Sequence, residues 1–220
     1  MKTNKAYKLI LADDHILLRD TLASLINSFQ EFSITAVAGN GKELIQCIEQ
    51  SNKVDIVLMD LNMPKMDGYE AAQWLAENRP GIKIIVLTMY DSEIALIRLL
   101  RFGIHGFLKK DIHPNELHTA LLTVAEGEYY YSHDTTLKIA SLFRKKANKE
   151  LELEKSVLSN TEIEFLKLAS QDITYREIAM AMALTPKQTD RFREALFVKL
   201  EVKSRIGLVI YAVKNGIINY

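Results

Sequence analysis

A single cysteine, Cys47, stands in 220 residues, so no internal disulfide can form and a reducing compartment suits the chain. Long apolar runs are missing as well. The first such stretch, residues 9–12, stops at Asp13, which is too short for a signal-peptide core. Nothing approaches the roughly 18 residues that a membrane span needs. A cytoplasmic chain with no membrane contact is expected. The histidines at 15, 105, 113, 118 and 133 are scattered without metal-ligand spacing, and there is no repeat or low-complexity tract. The formal net charge is zero, which gives no chain-wide field to attract nucleic acid.

The zero hides a gradient. Residues 1–130 hold 13 Lys/Arg against 17 Asp/Glu, residues 131–154 hold 5 against 4, and residues 155–220 hold 10 against 7. A mildly acidic front is joined to a mildly basic back, and an excess of three positive charges is also what an ordinary solvated surface carries.

Short β-rich runs alternate with helical patterns over the first 130 residues. Strands are predicted at 8–12, 33–38, 54–59, 82–88 and 106–109. Helices are predicted at 16–29, 41–50, 68–78, 93–101 and 114–126, from apolar residues recurring at three and four. Cys47 falls among apolar residues on the second helix and reads as packing, and Trp74 on the third reads the same way. Five strand–helix repeats imply a parallel sheet in the order 2-1-3-4-5, covered on both faces.

In such sheets ligands sit beyond the carboxyl ends of the strands. Asp13 and Asp14 follow strand one, Asp60 ends strand three, Thr88 ends strand four and Lys110 follows strand five. Taken alone, an Asp pair is a helix cap or a solvated turn, and a Thr or Lys at a strand end is surface. Together they converge on one edge. Three carboxylates so placed repel one another unless a cation holds them, and hard oxygen donors suit Mg²⁺. Beside such a cation Asp60 can attack phosphorus as a carboxylate nucleophile. Lys110 adds a second positive charge, and the Thr88 hydroxyl can hydrogen-bond a phosphoryl oxygen.

Asp13 and Asp14, the run 59–64 with Asp67 and Gly68, the pair Leu87 and Thr88, and the run 106–110 resemble the receiver domain of two-component response regulators over about residues 5–130. The resemblance implies that Asp60 is the phospho-acceptor, that Asp13, Asp14, Asp60 and the backbone carbonyl of Asn62 bind Mg²⁺, and that Thr88 and Lys110 contact the acyl phosphate. It implies a switching aromatic at Phe107, three residues before Lys110, and leaves Lys109 exposed. It further implies a regulator rather than an enzyme, with at most slow self-phosphorylation and self-dephosphorylation at Asp60. Met89 stands where receivers often carry a very small residue, and is expected to crowd the phosphate.

Residues 132–155 read as a partly helical linker between a domain at 1–131 and another at 156–220. The second is helical throughout. Ser159 with Glu162, Thr174 with Glu177 and Thr185 with Gln188 each have capping-box spacing, and Pro186 suits a first helical position. A fourth helix is expected from near Ser204 to 215–216. Leu158 and Ser159 with Glu162, the run 177–179, Lys199 with Leu200, and the run 202–205 resemble the LuxR-type helix-turn-helix of the NarL/FixJ branch over 157–215. The helix from Pro186 then corresponds to the recognition helix. A helical wheel buries Thr189, Phe192, Leu196 and Leu200 and turns Lys187, Arg191 and Glu194 outward. Lys187, Gln188 and Arg191 are the candidates for reaching double-stranded DNA, with Lys199, Lys203 and Arg205 as backbone contacts. The pattern departs at Asp190 and Phe192, where lysine and histidine are common, and at Asp172, which replaces a common glycine. Asp190 is expected to accept from a cytosine or to orient Arg191.

These readings predict a transcriptional regulator that a sensor histidine kinase phosphorylates at Asp60 and that binds palindromic DNA as a homodimer. The alternatives are a phospho-dependent protein-interaction module that does not read DNA, and a phosphohydrolase. The last would need a second acid two residues beyond a strand-one aspartate, where His15 and Ile16 supply none. His15 is expected to pack at a helix start, and the run 129–131 to end the first domain against its last helix.

Overall fold

The computed structural model describes residues 6–89, 93–132, 135–137, 139, 158–215 and 217–218. His133, Gly216 and the charged run 145–155 of the expected linker lie outside them. Of that linker, residues 135–137 and 139 are helical. The chain forms two compact units.

The first unit runs β1 (Tyr7–Ala12), α1 (Ile16–Ser28), β2 (Phe32–Ala38), α2 (Gly41–Gln50), β3 (Ile56–Met59), α3 (Gly68–Asn78), β4 (Lys83–Thr88), residues 98–101 of α4 (Glu93–Arg101), β5 (Gly106–Lys109), α5 (Pro114–Ala125) and β6 (Tyr130–Tyr131). The sheet order is β2-β1-β3-β4-β5-β6, parallel throughout. Alternate strand residues (Leu9, Leu11, Ile56, Leu58, Ile85, Leu87 and Leu108) pack on Ile26 of α1 and on Leu117, Leu121 and Val124 of α5. The residues between them (Ile10, Val57, Met59, Ile84, Val86 and Phe107) are equally buried. A sheet sealed on both faces accounts for the unbroken apolar runs.

Six strands replace the expected five. Tyr130 and Tyr131 pair with Gly106 and Phe107, a strand too short to show any alternation in sequence. The Tyr130 hydroxyl meets Glu116 of α5 at 3.3 Å, while that of Tyr131 donates to the Ile104 carbonyl at 3.0 Å.

The second unit holds α6 (Asn160–Ala169), α7 (Tyr175–Ala181), α8 (Pro186–Lys199) and α9 (Arg205–Lys214). Ser159, Thr174 and Thr185 each close the capping box that their spacing predicts, and Ser204 caps α9. Phe165, Leu166, Ile178, Leu196 and Leu208 form the centre of its core. The turn from α7 to α8 passes through Ala183 at φ 53°, a left-handed residue that lets the chain reverse within 182–185.

Candidate functional site

The sheet topology puts β1 and β3 side by side, and their carboxyl ends are tied together. The Asp60 N–H donates to the Ala12 carbonyl at 2.9 Å, while the Asp13 N–H donates to the Ala38 carbonyl of β2 at 3.0 Å, on the other side of β1. Two neighbouring strands thereby deliver two buried carboxylates to one edge. Lys110, whose N–H donates to the Thr88 carbonyl at 2.9 Å, reaches in from β5. Its Nζ lies 2.7 Å from Asp13 Oδ2 and 3.0 Å from Asp60 Oδ2.

This placement answers the electrostatic problem of the edge. Burial pushes the Asp60 carboxyl above its ordinary range, the Lys110 ammonium pulls it back, and Asp13 adds to the upward push. One ammonium thus lies within ion-pair distance of both acids. Thr88 ends β4 fully buried, and Phe107 is packed inside β5. Asn62 lies half-buried in the loop to α3. That loop is held by Gly41 N–H to the Met66 carbonyl (2.9 Å) and Gly68 N–H to the Leu61 carbonyl (2.8 Å), while Asp67 and Glu70 box the start of α3.

The acid edge also fits a hard divalent cation. Asp13, Asp14, His15 and Asp60 each offer a ligand atom, and the four atoms lie within 4.8 Å of one another. His15 departs from its expected packing role. Its side chain is 63% exposed, and Nδ1 sits 3.1 Å from Asp13 and 3.0 Å from Asp14. The only signal of this in the sequence is its adjacency to the Asp pair. Lys109 is half-buried rather than exposed, and Met89, expected to crowd the phosphate, is 69% exposed.

On the second unit, Lys187, Gln188 and Arg191 lie exposed on α8 and Lys203 is exposed ahead of α9. Thr189 and Leu196 are buried, with Phe192 and Leu200 against the same core, as the wheel predicts. Two of the expected DNA-backbone contacts have partners inside the unit. Lys199 Nζ pairs with both Glu162 oxygens at 2.8 and 2.7 Å, tying the end of α8 to the start of α6. Arg205 donates to the Ala169 and Gln171 carbonyls at 2.8 and 2.6 Å. Asp190 pairs with Arg193 at 3.1 Å and not with Arg191, because residues three apart share a helix face and adjacent ones do not.

A model of the response regulator receiver domain matches residues 9–122, and one of the luxR family of bacterial regulatory proteins matches 156–212. The oxygen regulatory protein NreC of Staphylococcus aureus is 30% identical over 217 residues, covering 97% of this chain and 100% of NreC. The transcriptional regulatory protein DegU of Brevibacillus brevis is 28% identical over 222 residues, 95% of this chain and 94% of DegU. Among solved structures, the RcsB response regulator of Salmonella typhimurium shares the fold with a TM-score of 0.69 at 22% identity, over 96% of this chain and 98% of RcsB. The first match falls on the unit with the acid edge and the second on the helical unit, and the chain belongs to the two-component response regulators of the NarL/FixJ type.

Proposed function

We propose that the chain is a phosphorylation-dependent DNA-binding transcriptional regulator whose acceptor is Asp60. The observation that carries this is the buried Lys110 ammonium shared by Asp13 and Asp60 at the carboxyl edge of the sheet. A sensor histidine kinase is the donor. Asp60 Oδ bonds to phosphorus as the phosphorus–nitrogen bond of the donor phosphohistidine breaks. Asp13, Asp14, Asp60 and the Asn62 carbonyl would hold Mg²⁺, which would neutralise charge on the phosphoryl oxygens. Lys110 then exchanges a carboxylate for a phosphoryl oxygen, the Thr88 hydroxyl donates to another, and Phe107 changes rotamer in response. At most the chain acquires and loses the phosphoryl group slowly on its own.

Lys187, Gln188 and Arg191 of α8 face the DNA, with Lys203 toward its backbone. RcsB, of the same fold, is solved as a complex with DNA. Two copies on a palindrome double the contacts that one weakly basic unit makes. Among the described residues no helix is long and apolar enough to cross a membrane. A protein-interaction module remains the second reading, favoured by exposed Asp190 and Glu194 on α8.

Incubation with a small acyl phosphate and Mg²⁺, read by intact mass spectrometry, tests the acceptor. One phosphoryl group is expected on the unaltered chain and none on Asp60→Asn. Equal labelling of the two overturns the assignment.

A further inference from the structure

Arg193 lies on the flank of α8 beside α7. Its guanidinium is 3.1 Å from the Asp190 carboxylate one turn earlier and 4.9 Å from the ring centroid of Tyr175, the first residue of α7. Arg205 lies over the same ring at 5.3 Å, but its guanidinium is committed to the Ala169 and Gln171 carbonyls. The Tyr175 hydroxyl is buried without a hydrogen-bond partner, alone in this among side-chain atoms of the described residues. The ring therefore offers Arg193 a π face and a fixed seat, while Asp190 neutralises its charge. The Asp190 side chain is 57% exposed, and an ion pair so open to water is weak and exchangeable. A phosphate offers a guanidinium the same paired oxygen acceptors as a carboxylate.

We propose that Asp190 is a specificity-determining residue that stands in for a DNA phosphate, occupying Arg193 until a correctly seated backbone phosphate takes its place. This rests on the DNA-binding reading above. Phosphate contacts are alike on every sequence, and each adds affinity by releasing counterions. In a loosely docked complex on random DNA, Arg193 stays with Asp190 and the carboxylate repels nearby phosphates. On a site that seats α8 through Lys187, Gln188 and Arg191, the exchange takes place. Asp190 thereby lowers affinity for random DNA more than for the chosen site, and offsets part of the affinity that another basic residue there would give.

The test uses the full chain carrying Asp190→Asn, Arg193→Gln, Arg193→Lys and the Asp190→Asn pairings with each, with circular dichroism melting to verify folding. Binding is measured across salt on a random-sequence duplex and on a duplex selected from a random pool. Asp190→Asn is expected to raise affinity for the random duplex about fivefold and to steepen the log–log salt slope by about 0.9, one further phosphate contact. The selected duplex gains less than about twofold, so discrimination falls. The gain disappears in the Arg193→Gln background and persists with Arg193→Lys, a coupling that a double-mutant cycle isolates. An equal gain with and without Arg193, or an equal gain from Glu194→Gln on the same helix, overturns the proposal, because Asp190 then acts only as bulk charge. Failure of every variant and of the unaltered chain to bind either duplex at low salt overturns the DNA-binding reading itself, and this inference with it.

Discussion

Lys110 and Asp60 stand 3.0 Å apart, ammonium to carboxylate, each side chain less than 5% exposed. The same ammonium holds Asp13 at 2.7 Å, so its removal leaves two buried acids facing each other. Breaking a buried pair in this way destabilises by about 3–5 kcal/mol. Lys110→Met is expected to lower stability by that order in metal-free buffer. A divalent cation then replaces the lost charge, so added Mg²⁺ should raise the melting temperature more in the variant than in the unaltered chain. An equal rise in both would show that Lys110 does not set the charge balance of the edge.

Gly68 lets α3 begin directly under Asp60, the proposed acceptor. A Cβ there would run into the Asp60 carbonyl oxygen and approach the Leu61 Cα to 2.7 Å, and neither backbone atom can turn aside. Gly68→Ala is expected to destabilise the first unit by about 1–3 kcal/mol and to slow labelling of Asp60. Denaturant unfolding followed by Trp74, the one tryptophan of the chain and a residue of α3, measures the first effect.

His105 carries a pH dependence far from the acids. Its Nδ1 accepts from the Ile84 N–H at 3.3 Å, and its ring stacks on Tyr129 at 5.3 Å. Burial, with Lys83 nearby, holds its pKa below the ordinary histidine value. The folded chain therefore favours the neutral ring. The stabilisation is complete above the unfolded pKa of about 6.5 and is lost as pH falls from there through the lower folded value. His105→Asn keeps an acceptor without titrating, and should flatten the fall of melting temperature between about pH 7 and pH 5.

Lys199 and Lys187 should separate stability from recognition on the same helix. Burial alone would push the Glu162 carboxyl up, but hydrogen bonds from Lys199 and Ser159 hold it below its ordinary value. Lys199→Met is expected to destabilise the helical unit by about 1.5–3 kcal/mol, the range for hydrogen bonds to a charged group. Lys187→Ala and Arg191→Ala should leave the circular dichroism melt within about 0.5 kcal/mol of the unaltered chain while weakening DNA binding.

The receiver edge was largely legible in the sequence, because strand ends are marked by the change from apolar runs to Asp, Thr and Lys. Parallel topology then puts Asp13 and Asp60 on neighbouring strands without further information. The three capping boxes were readable for a similar reason, since their partners lie three residues apart. Interactions set by tertiary placement were not. Nothing local to Lys199 or Arg205 announces Glu162, Ala169 or Gln171, residues more than 30 positions earlier. His15 is expected to pack at the helix start, yet its ring turns back to the acids there.

The link between the two units is the claim on which the rest depends. A duplex selected from a random pool, titrated with the full chain before and after phosphorylation by a small acyl phosphate, reads it directly. Phosphorylation is expected to tighten binding by about tenfold or more, a coupling of about 1.4 kcal/mol, and Asp60→Asn should abolish the gain without abolishing the basal affinity. Identical affinities before and after phosphorylation, with Asp60 verified as modified, would contradict it.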